Sequence, residues 1–234
     1  MNLILLEAGE VGSPLALTDP RAIHLVRVLR RRQGDPFDAG IVNGARGKGT
    51  VAAIGPEGVF FSFEPGEEPP PADPIHLLIA LPRPQTARKI LNEATSLGVA
   101  SIRFFQSEKG EPGYAASTLW KSLEWRRHLL DGASQAFDTR LPEVRHDADL
   151  AAAIEALPEG CPRIGLDNYE AARRLRMAPG TPPVALAFGP ERGWSAAERA
   201  MLRERAFELA HLGPRVLRTE TAVVAAVAIA KAGR

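Results

Sequence analysis

Two stretches decide how this chain is read: LAFGPERGWS, Leu186–Ser195, and LAHLGPRVLRTE, Leu209–Glu220. Each closes a short apolar run with Gly-Pro (Gly189-Pro190 and Gly213-Pro214) and then supplies an arginine and a glutamate. Glycine lets another chain or a ligand approach the backbone closely, and proline sets the direction in which the chain leaves. Loops of this kind at the carboxyl ends of parallel strands are where α/β sheets bind ligands. The second corner opens directly into TAVVAAVAIA, Thr221–Ala230. A helix apolar on all sides is expected to be buried, and Thr219 stands where its N-cap would fall.

Working outward, the chain from residue 75 alternates short apolar strands with helical stretches. The strands are IHLLIAL (Ile75–Leu81), SIRFF, PRIGLD and PVALAFG, and helices are expected over Thr86–Leu97, Ala116–Ala136 and Ala148–Leu157. That rhythm predicts an α/β domain, a mainly parallel sheet with helices on both faces. Ser195 followed by Glu198 predicts a capping box at a helix start. Before this domain, EPGEEPPPADP (Glu64–Pro74) carries five prolines and no base, and reads as an extended linker. Residues 1–63 hold the β-like runs NLILLE, GTVAAI and VFFSF around one expected helix, Pro20–Arg31, which suggests a small β-barrel.

The net charge of +1 conceals a local cluster, five arginines between Arg21 and Arg32, whose density suits a phosphate backbone. A single cysteine, Cys161, excludes an internal disulfide framework and a multi-cysteine metal site. The amino terminus lacks the basic flank of a signal peptide, and the apolar run Ala222–Ala230 is about half the roughly 20 residues that span a bilayer. A cytoplasmic protein with no membrane partner is the expectation. GARGKGT (Gly44–Thr50) fails as a phosphate loop, because Val42 and Gly49 stand where that motif needs glycine and Ser/Thr, and reads instead as a hairpin turn at Asn43-Gly44 with a basic tip. No G-x-G-x-x-G follows a strand, and H-E-x-x-H, C-x-x-C and G-x-S-x-G are missing. The five histidines (24, 76, 128, 146, 211) have no ligand spacing, and His146-Asp147 reads as a turn before a helix.

FGPERGWS followed by LGPRVLRTETA closely resembles the ribosomal RNA small subunit methyltransferase E family, of the SPOUT class. IHLVRVLR (Ile23–Arg30), SLGV (Ser96–Val99) and SQAFDTRLPEV (Ser134–Val144) resemble further motifs of that family, so the resemblance runs over nearly the whole chain. It implies a PUA-like RNA-binding β-barrel at 1–63, the linker at 64–74, and at 75–234 a SPOUT domain with a trefoil knot that forms a homodimer. It also implies transfer of a methyl group from S-adenosylmethionine, without a metal, to N3 of a uridine in small-subunit (16S) ribosomal RNA, either free or in the assembled 30S particle.

Under that resemblance the two corners become the cofactor site. Gly189, Pro190, Glu191 and Gly193 would form one wall, Leu212, Gly213, Leu217, Arg218 and Thr219 another, and Leu166 a third. A uridine N3 must lose its proton as it attacks, which calls for a general base and a donor for the growing charge. Glu191 or Glu220 is the candidate base, and Arg218 or Arg215 the candidate donor. RNA would be gripped by Arg21, Arg27, Arg30 and Arg31 and by Arg83, Arg88, Lys89 and Arg103. Glu93, Ser96, Ser134, Asp138 and Arg192 depart from the family pattern. These departures keep open a paralogue acting on another RNA or nucleotide and a non-catalytic ribosome-assembly factor; cofactor binding discriminates the latter.

Overall fold

The computed structural model describes residues 3–177 and 183–232. Asn2, the first residue of the expected strand NLILLE, lies outside them. The chain forms two compact units, Met1–Pro71 with Ala133–Leu141, and Ala72–Gly132 with Pro142–Arg234.

In the first unit, strands β1 (Ile4–Leu6), β2 (Pro36–Ile41), β3 (Arg46–Gly55) and β4 (Gly58–Pro65) form a sheet in that order. The β1–β2 pair is parallel and the rest antiparallel. Asn43, with φ of 59°, makes the turn between β2 and β3 expected of Asn-Gly. The expected helix from Pro20 is shorter than its pattern: α1 covers Pro20–Ile23 and widens into a π turn over His24–Val28, and Arg30 takes φ of 52°. Leu25 and Ala22 from this segment join Ile4, Phe37, Val51 and Phe61 in the core.

Regular structure runs further into the proline-rich segment than expected, since β4 reaches Pro65 and strand β5 (Asp73–Ala80) begins at Asp73. Residues 133–141 join the first unit for a local reason. Ser134 Oγ donates to Leu3 O at 2.6 Å, Thr139 Oγ1 to Gly44 O at 2.6 Å, and Arg140 Nε to Pro70 O at 2.8 Å. Two departures from the family motif thereby acquire structural roles, because the Asp138 carboxylate accepts from the amides of Thr139 and Arg140 and closes the same turn.

The second unit holds β5, α2 (Pro84–Ser96), β6 (Val99–Phe105), α3 (Thr118–Lys121), α4 (Glu124–Ala136), β7 (Glu143–Asp147), α5 (Leu150–Glu155), β8 (Arg163–Leu166), β9 (Arg173–Arg174), β10 (Val184–Phe188), α6 (Ala196–Glu204), β11 (Phe207–His211) and α7 (Thr219–Ala232). Its sheet runs β7-β6-β5-β10-β8-β11-β9, and every pairing is parallel. All carboxyl ends therefore face one edge. The central strand β10 is buried along its whole length, as a parallel strand covered on both faces requires. The single helix expected over Ala116–Ala136 is broken at Leu123, whose φ is 59°. His146 and Asp147 belong to β7 and not to a turn, and Asp147 accepts both Arg103 Nε and Nη2 at 2.9 Å. Arg103 is thus a half-buried strand-to-strand tie.

Arg21 is likewise engaged within the chain. Its guanidinium bonds Glu10 at 2.6 and 2.7 Å, Asp19 at 2.7 Å and Leu5 O at 2.9 Å, so it clamps the first unit together. The Arg21 hydrogen bonds outweigh burial and hold both carboxyls below their ordinary values. Groups with depressed values stabilise above the carboxylate range and lose that contribution as pH falls through it. Arg21→Met is expected to lower the stability of the protein by about 1–3 kcal/mol at neutral pH, with the deficit shrinking below about pH 4. Urea unfolding at several pH values checks this.

Candidate active site

Leu166, Phe188 and His211 end three adjacent strands in register, Phe188 opposite Leu166 and Leu166 opposite Ala210. Their loops enclose a cleft of about 690 Å³, open to solvent. Trp194 forms its floor, buried, donating from Nε1 to Leu166 O at 2.9 Å and stacked on Phe105 at 6.1 Å between ring centres. The position of the indole explains Gly189, where a Cβ would sit 2.9 Å from Trp194 Cδ2. Gly193, with φ of 72°, turns the loop back into the floor.

One guanidinium ties these loops. Arg199 on α6 bonds the Asp167 carboxylate through Nε at 2.5 Å and Nη2 at 3.3 Å, bonds Trp194 O through Nη1 at 3.0 Å, and lies 5.7 Å from the centre of the Tyr169 ring. Burial would raise the Asp167 carboxyl, but the Arg199 bond and the Tyr169 amide outweigh it and hold the group low. Asn168 Nδ2 reaches Arg215 O at 3.3 Å, and His211 Nδ1 accepts Gly213 N at 3.0 Å. The two loops after β8 and β11 are thus pinned to each other and to the sheet.

A second cavity, about 1000 Å³ and also open, shares Glu191, Val216, Leu217 and Thr219 with the first. Arg83 Nε and Nη2 hold the two Glu191 carboxylate oxygens, each at 3.0 Å, and Lys89 Nζ holds Glu220 Oε1 at 3.0 Å. Glu220 is 9% exposed at the first turn of α7, where the helix dipole favours an anion. Burial pushes its carboxyl up, but its own backbone amide, Lys89 and Arg218 pull it below its ordinary value. The two cavities differ in charge. The cleft is bordered by Asp167 and Glu191 with no lysine or arginine, whereas the outer cavity adds Arg83, Lys89 and Arg218.

Most of the residues named from sequence converge here. Leu166, Gly189, Pro190, Glu191, Gly193, Leu212, Leu217 and Thr219 border the cleft, and Arg218, Glu220, Arg83 and Lys89 border the outer cavity. Gly213 lies buried behind the cleft without bordering it, and the Arg215 side chain borders neither. Arg88 points elsewhere, to Glu124 at 2.8 Å. Thr219 is the first helical residue of α7, and Arg218 O accepts Ala222 N at 2.9 Å. The capping position is therefore Arg218, one residue earlier than expected. Asp167, Asn168, Tyr169, Trp194 and Val216 were not anticipated. Asn168 and Tyr169 follow a predicted strand end, the signal that could have found them.

A family model described as an RNA methyltransferase domain matches residues 68–231. A ribosomal RNA small subunit methyltransferase E from Treponema pallidum (strain Nichols) is 33% identical over 98% of this chain and 90% of its own length. The protein named ribosomal RNA small subunit methyltransferase E 1 from Borreliella burgdorferi is 30% identical over 97% of this chain and 95% of its own. The chain belongs to this methyltransferase family. Among solved structures, a putative methyltransferase from Legionella pneumophila in complex with SAM matches with TM-score 0.81 at 25% identity, over 99% of this chain and 98% of that one. A family member from Neisseria gonorrhoeae bound to S-adenosyl methionine shares the fold, with TM-score 0.79 at 22% identity over 99% and 97%.

The Arg199 tie makes a prediction for this member of the family. Arg199→Met leaves Asp167 buried and unpaired, at an expected cost of about 3 kcal/mol. Thermal unfolding measures the loss, and near-ultraviolet circular dichroism should report a loosened Trp194.

Proposed function

We propose that this protein transfers a methyl group from S-adenosylmethionine to N3 of a uridine in small-subunit ribosomal RNA, free or assembled in the 30S particle. The observation that carries the reading is the junction of two cavities at one sheet edge, one free of lysine and arginine and one rich in them. Family membership and the cofactor-bound structures of the Legionella and Neisseria proteins support it.

The residues of the cleft fit a cationic sulfonium joined to a flat adenosyl ring. No lysine or arginine borders it, and at its mouth Tyr169 and Val216 expose 73% and 79% of their surface, apolar area that a ring would cover. When bound, S-adenosylmethionine supplies an activated methyl group. The protein must then place a uridine in the outer cavity, accept the N3 proton and balance the charge left on the base.

Glu191 suits the base, because it borders both cavities and its carboxylate is held at a fixed angle by the Arg83 fork. Glu220 suits an anchor, because Lys89 and Arg218 hold it as an anion and it borders the outer cavity alone of the two. Arg218 would meet the charge developing on the uridine carbonyl oxygens; Arg215, whose side chain borders neither cavity, would not. The Glu191 carboxylate would take the N3 proton, and the bound cofactor would supply the methyl, its sulfur keeping the electron pair of the S–CH3 bond.

The remaining features extend the same reading. The four-stranded sheet, with exposed Arg27 and Arg30 and half-buried Arg31, would be a PUA-like barrel gripping RNA phosphates. The placement of β10 between β5 and β8, with α7 packed on α2, β5 and β10, is in keeping with a trefoil knot. Helix α7 buries Val223, Ala226, Val227 and Ala230 on one face but leaves Val224, Ala225, Ala228 and Ile229 partly or fully exposed, the surface a second copy would cover. Among the described residues no helix is long and apolar enough to cross a membrane, and ribosomal RNA as substrate would place the protein with the ribosome in the cytoplasm.

Calorimetric titration with S-adenosylmethionine, followed by labelled methyl transfer to small-subunit particles and mapping of the modified base, tests the reading. Binding and a methyl on uridine N3 are expected; no binding, or a methyl elsewhere, overturns it. Glu191→Gln should lower kcat by about 10²–10⁴-fold. Arg218→Ala should lower kcat by about 10²–10³-fold with the fold intact, and full activity would remove Arg218 from the mechanism. Val224→Glu should convert a dimer to monomers in sedimentation velocity.

A further inference from the structure

The Gly189–Gly193 loop has a second side. Beside the cleft lies a third, smaller hollow, open to solvent and bordered by Leu81 and Pro82 after β5, by Lys109–Glu111 and Tyr114 after β6, and by Pro190–Arg192. It abuts the other two through Pro190 and Glu191, so whatever occupies it lies beside the atoms at which the chemistry is proposed. Tyr114 also stands close enough to act electrostatically on Arg83 of the outer cavity.

The charged groups around this cavity divide by whether they are already engaged. Lys109 Nζ is bound to Trp194 O at 2.9 Å, and Glu191 is held by Arg83. Lys109 therefore braces the cleft floor from behind, sharing the Trp194 carbonyl with Arg199. Arg192 is exposed, and its side chain makes no hydrogen bond or ion pair with a described residue. It stands where the resembled family motif has glycine, and it takes no left-handed backbone angle that would call for one. An unengaged guanidinium, a tyrosine ring, two prolyl and leucyl walls and the Glu111 carboxylate at the rim are the parts of a single-nucleotide subsite. Arginine meets a phosphate as a planar fork, and an aromatic face stacks a base of any sequence. A carboxylate accepts an exocyclic amino group.

We propose that this cavity holds the nucleotide next to the methylated one, with its phosphate on Arg192 and its base against Tyr114. The inference rests on the reading of the neighbouring cavities as the methyl-transfer site. A base extruded into the outer cavity leaves its neighbour unstacked, and Tyr114 replaces the lost stack.

Direct binding of fluorescein-labelled single-stranded RNA, read by anisotropy over a range of salt, tests the subsite separately from catalysis. The probes are a five-nucleotide RNA with central uridine and the same RNA with one abasic neighbour on either side. Arg192→Gly is expected to weaken binding of the intact probe about tenfold and to reduce the salt slope by about 0.7. Tyr114→Ala should weaken it about tenfold and Tyr114→Phe little, and one abasic probe should bind wild type and Tyr114→Ala alike. S-adenosylmethionine affinity should be unchanged in Arg192→Gly and both Tyr114 variants. Equal RNA affinity and salt slope in wild type, Arg192→Gly and Tyr114→Ala, or no RNA binding by wild type, overturns the proposal. Failure of wild type to bind S-adenosylmethionine or to methylate uridine N3, with these RNA effects intact, would instead overturn the proposed reaction and leave an RNA-binding subsite.

Discussion

The carbonyl of Trp194 and the carboxylate of Asp167 meet on the Arg199 guanidinium, and the site is organised around that junction. A parallel sheet delivers its strand ends to one edge but leaves the following loops without ladder partners. Their backbone groups need other bonds, and here a buried, fully engaged arginine links the loop after β8 to the loop after β10. Lys109 adds a second donor to the same Trp194 carbonyl. With the indole held from both sides, the cleft has a rigid floor, and rigidity before ligand arrival is what an aligned transfer between two reactants requires.

Charge is sorted along that edge in a way that follows from which residues follow which strands. The loops after β8, β10 and β11 carry the apolar and acidic lining, while α2 contributes Lys89 and the residue before it contributes Arg83. Two of the three outer cations are paired with an acid, Arg83 with Glu191 and Lys89 with Glu220. Such partly exposed pairs are weakly stabilising in themselves. Their effect is positional, since they hold two carboxylates and two cations at fixed points along the edge.

Several departures from the family motifs find local physical explanations. Ser96 donates to the Asn92 and Gly132 carbonyls, and Gly132 itself permits the close passage of α4 over α2, where a Cβ would come within 2.3 Å of Asn92 O. Glu93 sits near Glu220, and burial together with that neighbouring charge raises its carboxyl, with Lys89 opposing. The cations of the expected RNA grip separate by partner: Arg21, Arg88 and Arg103 are bound to carboxylates away from the cavities, Arg83 and Lys89 to carboxylates at the outer cavity, and Arg27 and Arg30 are exposed.

What the chain reveals without its structure is what periodicity and local backbone chemistry control. The alternation of apolar strands and amphipathic helices, the Ser195–Glu198 capping box, the Asn43 turn and the two Gly-Pro corners are each set within a few residues, and each was legible. The corners were legible as strand-end turns because glycine and proline constrain the backbone locally. Tertiary structure alone decided which charges are engaged, since Arg21 and Arg192 look alike in sequence while Glu10 and Asp19 enclose one and no described residue pairs with the side chain of the other. It also decided that Trp194 is a floor and that residues 133–141 return to the first unit, because both depend on groups far apart along the chain, which no short-range pattern encodes.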